Sequence, residues 1–494
     1  MPHSFLFGHL VVFAKLAIKK KMPRDASGQS MPLLLAQEYP EALKAGCIYM
    51  DVWPISAPML AVFHPDMMAQ FTQEDSQLKH PYMHSEFLPF TGAKDLVCSE
   101  GREWKAGRAI FNPGFSTRNL LSLIPNFIEE VLVFRDHLFD FARKGNVINL
   151  EHATTNLTVD IIARAVLGAR VNAQNKPVKF LETMLDQVKL LYFDLDLKKA
   201  LNPLRPFRHH ALNRTFRNEM MPYVQHAVQN YEKIEGPKTI LNLALKSYVE
   251  EVQDVSTRGN IPPEFLDLVI NHIKMFLFAG HDTTATTMAY AYFELYSNSS
   301  KLALLRAEHD SVLGTNVLEA ASRIAADPTL LNQMPYTLAV VKETLRLWPV
   351  VGTVRIGSKG FMLHNRETGV HYPAEGFMLF GCSAAAHRNP NFWPDPDVFI
   401  PERWTIRDEN DPLHPVKNSF RPWEQGPRNC IGQELASLEL RLILALTIRE
   451  FDMEIAYPED AETFQGIKHY QIHPAEMITA HPKGGMPVRV NIRS

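Results

Sequence analysis

The 494-residue chain is 46% hydrophobic with a net charge of -3, ample for a large core and without the positive excess that nucleic acid demands. Its four cysteines, Cys47, Cys98, Cys382 and Cys430, are too few for a disulfide framework of the secreted kind. No two stand at zinc spacing and no His-Glu-x-x-His pattern occurs, which argues against a structural or hydrolytic zinc site.

In chain order, Phe5 to Ile18 is mostly apolar, interrupted by His9 and Lys15 and closed by Lys19, Lys20 and Lys21. That is shorter than the roughly 20 residues of a membrane-spanning helix, and it lacks the leading charge and cleavage site of a secretory signal. A buried or interface-lying helix is expected. Residues 47–64 read as β-rich, with turns around Pro54 and Pro58. From about 116 to 300 the periodicity is helical, with breaks near Lys144, Pro203 and Pro262. Short strands return over 350–382, and a proline-rich coil runs from 389 to 427. A helix follows Gly432, and Met486-Pro487-Val488-Arg489-Val490 reads as a closing strand. The expected fold is mainly α with a smaller β-rich lobe (α+β). We expect one domain over 1–494, the lobe being built from both ends of the chain.

One helix stands apart. It starts at Pro262-Pro263, where proline suits the first turn, and its apolar pattern persists to about Ser297, long enough to cross the molecule. At its middle lies Ala279-Gly280-His281-Asp282-Thr283-Thr284. Polar groups there must be paired, hydrated or functional.

The strongest chemical signal is Trp423-Glu-Gln-Gly426-Pro-Arg428-Asn-Cys430-Ile-Gly432, just before a helix kept in period by Leu435, Leu438 and Leu442. At such a helix start, free N–H groups and the dipole stabilise a thiolate. Gly426 and Gly432 would let the backbone approach a flat ligand, and Arg428 can pair with a carboxylate beside the sulfur. The segment resembles the heme-binding loop of the cytochrome P-450 superfamily, Phe-x-x-Gly-x-Arg-x-Cys-x-Gly, and departs from it only in having Trp423 at the first position. The resemblance makes Cys430 the axial ligand of a heme b iron.

Other segments carry the same resemblance. Glu343-Thr-Leu-Arg346 places its pair on one helix face. Alone it would be a solvated salt bridge worth at most about 1 kcal/mol. With Pro401-Glu402-Arg403-Trp404 it is similar to the superfamily's Glu-x-x-Arg and Pro-Glu-Arg-Phe segments, which implies a structural triad of Glu343, Arg346 and Arg403. Trp104-Lys-Ala-Gly-Arg108 is similar to the Trp-x-x-x-Arg helix that holds a heme propionate, and Arg355 to a further propionate partner; with Arg428 these supply the cations that a dianionic cofactor needs. The middle of the long helix resembles the oxygen-activating segment. By that resemblance Thr283 is the hydroxyl and Asp282 the relay acid that deliver protons, and His281 lines the pocket or is satisfied within the core.

The cytochrome P-450 fold with a long central helix over the heme is therefore expected, and so is a heme-thiolate monooxygenase activity. O2 would be co-substrate, and electrons would come from NADPH through a separate NADPH-cytochrome P-450 reductase, since the chain has no nucleotide fingerprint of its own. The overall look is of filamentous-fungal, microsomal-type members, whose habit is secondary metabolism on lipophilic small molecules. Residues 76–98, Phe276, Phe278 and Val350 to Val354 would surround the substrate. Ser4 to Leu10 resembles a segment that follows a membrane anchor in those relatives. Either truncation of that anchor or peripheral membrane contact through the first helix and Arg205-Pro-Phe207-Arg208 is expected, at the cytosolic face of the endoplasmic reticulum, with a cytoplasmic location otherwise. A heme-thiolate isomerase or dehydratase, which would not need Asp282 and Thr283, and a heme sensor or electron carrier are the alternatives.

Overall fold

The computed structural model describes residues 1–53, 56–191, 201–230, 238–252, 262–473 and 479–493. The apolar material divides into two packed clusters, one among the helices and one around a small sheet. The sheet has the order β1-β2-β7-β4, from β1 (Cys47–Met50), β2 (Met59–Val62), β4 (Thr353–Ile356) and β7 (Met378–Gly381). β2 runs parallel to β7, while β1 and β4 are antiparallel to their neighbours. Strands from near the start of the chain and from 350–382 thus share one sheet. The turn expected at Pro54 lies outside the described residues.

The closing strand goes elsewhere. β11 (Pro487–Ile492) pairs with β3 (Val147–Asn149) and β8 (Phe451–Ile455), and its Val488 and Val490 are buried in the helical cluster. The closing strand therefore does not join the small sheet, although Phe464 and Tyr470 pack in that sheet's cluster, because alternation in a strand specifies which face is buried but not which partner it finds. Two strand pairs stand apart, β5 (Met362–Asn365) with β6 (Val370–Pro373), and β9 (Gln471–Ile472) with β10 (His481–Pro482).

Helix α1 (Leu10–Lys19) buries only Leu16, and Phe5, Leu6 and Phe7 before it are exposed. No helix among the described residues is long and apolar enough to cross a membrane. The helices that frame the site are α2 (Pro81–Thr91), α3 (Gly101–Phe111), α4 (Thr117–Lys144), α5 (Leu150–Leu167), α6 (Lys179–Val188), α7 (Arg205–Asn230), α8 (Pro263–Ser297), α9 (Pro335–Leu347) and α10 (Gln433–Thr447). The α8 helix is the expected long one, 35 residues starting on proline. It packs along α5 so closely that a β-carbon at Gly280 would come within 2.8 Å of Ile162 Cδ1. Packing thus accounts for the glycine at the helix centre.

Lys274 of α8 is buried without a carboxylate. It donates to the Phe90 carbonyl in the last turn of α2 (2.9 Å), to Asn213 Oδ1 of α7 (2.7 Å) and to Gln187 Oε1 of α6. Its ammonium also lies 4.3 Å from the centre of the Phe90 ring. A cation at a helix C-terminus suits the free carbonyls there. One side chain thereby ties three helices to α8, although burial draws its pKa well below the usual lysine value.

Candidate active site

Cys430 lies two residues before Gly432, the N-cap of α10. Its own N–H donates to the Trp423 carbonyl at 2.8 Å, which closes the loop. Cys430 is exposed, whereas the other three cysteines are buried, and all four are free. The sulfur nevertheless lies deep among protein atoms. Burial pushes the thiol up, opposed by the N–H groups of Gly432 and Gln433 and by the charge of Arg108. The two glycines of the loop differ in their surroundings. Gly426 has φ +89°, and a β-carbon there would sit 2.1 Å from the Thr72 carbonyl oxygen, so the loop's seat on residues 72–73 requires it. At Gly432 a β-carbon would meet only the Cys430 sulfur, at 3.8 Å.

The cations converge on this loop with new partners. Arg108 donates to the Asn429 carbonyl (3.0 Å) and to its side-chain oxygen (2.9 Å), gripping the residue before the cysteine. Trp104 stacks not with Arg108 but with Arg428, whose guanidinium carbon is 4.7 Å from the ring centre. Arg428 pairs with Glu100 at 2.7 Å and donates to the Ser99 carbonyl at 2.9 Å. Arg355 is fully buried; one terminal nitrogen bonds Thr353 Oγ1 and the Val354 carbonyl, while Nε and Nη2 have no partner. Burial lowers it to about 10. Lys79 belongs to the same group: burial, then the charges of Arg355 and Arg428, lower it to about 7. No sequence motif marks Lys79. Its neighbour Leu78 accepts a bond from the Ile356 N–H, which brings the segment against β4.

Glu100 and Glu424 are the carboxylates that offset these cations, and Glu424 is already paired with Arg421 at 2.6 Å. A buried arginine with two idle donors inside such a cluster matches a ligand that carries carboxylates. A thiol beside two helix-start N–H groups matches a metal of soft character. The residues therefore fit heme.

The polar middle of α8 divides by face. Ala279 is exposed, and Gly280 and Thr283 are half-buried, in a helix otherwise buried over most of its length. Thr283 Oγ1 donates to the Ala279 carbonyl at 2.9 Å, and both residues lie on that accessible face. Asp282 does not join it. Neighbouring residues on a helix diverge by about 100°, and the Asp282 carboxylate is buried against Thr479 and against His481 Nε2 at 3.2 Å. Burial would raise its pKa, but His481 and Thr479 hold it below the usual value. Asp282 and Thr283, adjacent in the sequence, thus turn to different faces of α8. His281 is fully buried with Nδ1 on the Leu277 carbonyl at 2.7 Å, as befits a core residue. Phe276 and Phe278 are buried in aromatic contacts, Phe276 with Phe111 and Phe115 and Phe278 with Phe90.

Glu343, Arg346 and Arg403 form the expected triad, all with no exposed side-chain surface. Arg346 makes two bonds to Glu343 (2.9 and 2.7 Å) and donates to the carbonyls of His387, Pro396 and Val398. Trp404 Nε1 donates to Glu343 at 3.0 Å, a bond phenylalanine cannot make. The triad clamps the proline-rich coil to α9. His387 joins this clamp to the cysteine loop: its Nε2 accepts from the Arg421 N–H at 3.0 Å and its Nδ1 meets the Arg346 carbonyl at 3.1 Å.

That arrangement needs a neutral ring. Burial lowers His387 to about 3, and His309 likewise to about 3. Unfolded histidine titrates near 6.5, so the unfolded chain takes up protons first. This part of the stability is full above about 6.5 and is lost as pH falls toward 3. We expect the melting temperature to drop between pH 6.5 and 5, above the carboxylate range. A flat profile there contradicts it.

Known proteins bear on the family and the fold. The cytochrome P-450 family profile matches residues 42–474. The chain is 35% identical to cytochrome P-450 monooxygenase polC of Polytolypa hystricis, over 99% of this chain and 89% of that one. It is 30% identical to cytochrome P-450 monooxygenase acrF of Aspergillus aculeatus, over 96% and 99%. Among solved structures, the heme domain of cytochrome P-450DA superposes with a TM-score of 0.74 at 19% identity, covering 100% of this chain and 97% of that one. The chain belongs to the cytochrome P-450 family, and is a heme-thiolate monooxygenase that uses heme b, O2 and electrons passed from NADPH by a reductase.

Proposed function

We propose that one domain spanning 1–494 holds heme through Cys430, and inserts one oxygen atom of O2 into a lipophilic organic molecule. The observation that carries the reading is the single exposed cysteine at a helix start, beside an arginine cluster with idle buried donors. In this reading the Gly432 and Gln433 N–H groups steady the thiolate, and Arg108 fixes the loop through Asn429. Arg355, Arg428 and Lys79 neutralise the cofactor's carboxylates, with Trp104 packing the Arg428 plane. Bound heme supplies O2 activation and attack on an unactivated C–H bond. The protein's own tasks are dryness, orientation and protons. Thr283 holds a proton at Oγ1 on the accessible face of α8, released when its bond to Ala279 turns. Asp282 is the acid that resupplies that face.

The test is the fate of electrons when NADPH, O2 and a microsomal reductase are supplied without substrate. Reduction of O2 to peroxide consumes one NADPH, and reduction to water consumes two. Thr283→Ala should raise the peroxide share several-fold and bring the NADPH-to-O2 ratio toward one. A ratio equal to that of the unaltered enzyme removes Thr283 from proton delivery.

Phe276, Phe278, Val350, Val351 and Val354, which by resemblance surround the pocket, are apolar and support a lipophilic substrate. The fungal relatives support a place in secondary metabolism. Exposed Phe5, Leu6 and Phe7 near Lys15 and Lys19, together with exposed Leu201, Leu204 and Phe207 beside Arg205 and Arg208, support peripheral contact with a membrane surface. We place that contact at the cytosolic face of the endoplasmic reticulum, where a membrane-bound NADPH-cytochrome P-450 reductase would meet the chain.

A further inference from the structure

Asp282 has no path to water along its own helix. Its residue is 2% exposed, and its bonds run away from the Thr283 face to Thr479 and His481. His481, on β10, is 6% exposed and stands between two carboxylates, with Nε2 3.2 Å from Asp282 Oδ1 and Nδ1 2.7 Å from Glu151 Oε1. A hydroxyl flanks each gap. Thr479 Oγ1 donates to Asp282 and lies 3.0 Å from His481 Nε2, while Thr286 Oγ1 donates to Glu151 at 2.9 Å and lies 3.3 Å from His481 Nδ1. Glu151, in the first turn of α5, keeps 14% of its side chain accessible. The line from solvent to the central helix is thus unbroken.

We infer that Glu151, His481 and Asp282 form the path by which protons reach the oxygen side of α8, with His481 as a positioning residue acting through Asp282. The inference rests on the reading that Thr283 marks that side.

With a carboxylate at each nitrogen, both ring nitrogens donate and the ring is an imidazolium. Burial works against the charge, but Asp282 and Glu151 carry His481 up to about 10. The groups facing it are Asp282, His281 and Thr286 of α8, Glu151 of α5, and Thr479 of its own segment. Lys483, further along, is turned to Asp25 and Glu462.

The transfer balances without electrons. The Nε2 proton passes to Asp282 Oδ1, whose carboxyl then leaves Thr479 to carry it to the accessible face. The ring, now bearing one proton on Nδ1, turns by half a revolution to present that N–H to Asp282. Its bare Nε2 then takes a proton from Glu151, which has drawn one from solvent.

Glu151→Gln and Glu151→Asp separate the two roles. The amide keeps the shape and the bond from His481 but carries no proton; the shorter acid keeps the proton. In the substrate-free assay with NADPH and a microsomal reductase, Glu151→Gln should raise the peroxide share several-fold and enlarge the solvent isotope effect on NADPH oxidation, while Glu151→Asp recovers most of the original partition. A second readout is independent of turnover. In nitrogen-15 spectra of the reduced, carbon monoxide-bound protein, assigned with His481→Gln, the ring should remain doubly protonated at pH 8 and lose a proton there in Glu151→Gln. Should Thr283→Ala leak peroxide while Glu151→Gln partitions as the unaltered enzyme does, the path is wrong and the reading of Thr283 survives. Should Thr283→Ala also leave the partition unchanged, the reading fails and the path fails with it. If Glu151→Asp is as impaired as Glu151→Gln, or His481 is singly protonated at pH 8 in the unaltered protein, the path is likewise overturned.

Discussion

Replacing Glu343 by alanine should leave little folded protein. The substitution strands Arg346 and Arg403, both without exposed surface, and removes the acceptor of the Ile400 N–H and of Trp404 Nε1. Breaking a buried ion pair costs about 3–5 kcal/mol, and each orphaned buried donor adds about 1–3 kcal/mol. That is comparable with the whole stability of a typical domain, about 5–15 kcal/mol. Remaining carbonyl bonds from Arg346 to His387, Pro396 and Val398 soften the loss, so glutamine should be milder than alanine. Soluble yield and thermal melting of Glu343→Ala and Glu343→Gln check this, and an unchanged melting temperature for the alanine variant contradicts it.

Gly426→Ala should detach the cysteine loop while leaving the helical core folded. The residue's φ of +89° is outside what alanine adopts easily, and the added carbon would lie 2.1 Å from the Thr72 oxygen. Backbone strain alone is about 1–3 kcal/mol, and the contact forces either residues 72–73 or the loop to move. Gly426 is four positions before Cys430, and the Asn429 N–H bonds to the Gly426 carbonyl at 3.1 Å, so displacement reaches the sulfur. The expected result is normal helical circular dichroism with heme content reduced severalfold. Full heme occupancy would show that the seat on Thr72 is dispensable.

What was legible in the sequence was local. Cys430 before a helix, Glu343 and Arg346 one turn apart, and a proline-started helix of unusual length are all patterns within a few dozen residues. The structure realises each of them. What was not legible depends on partners far along the chain. The direction of the Asp282 carboxylate is set by Thr479 and His481, almost two hundred positions away. Trp104 and Arg108 share a helix face by spacing, yet Arg428 takes the stacking position and Asn429 takes Arg108. Lys79 is an ordinary lysine until β4 and the cysteine loop bring Arg355 and Arg428 against it. Gly280 likewise packs closely on Ile162 of another helix, a contact that its own neighbours do not announce.

The most direct test of the account is the carbon monoxide difference spectrum of the reduced protein, recorded beside Cys430→Ser. Ligation by Cys430 predicts a Soret band at the far-red position of thiolate-bound heme, lost in the serine variant although Arg355, Arg428 and Lys79 are intact. A band at the histidine-type position in the unaltered protein, or a far-red band that survives in Cys430→Ser, would contradict it.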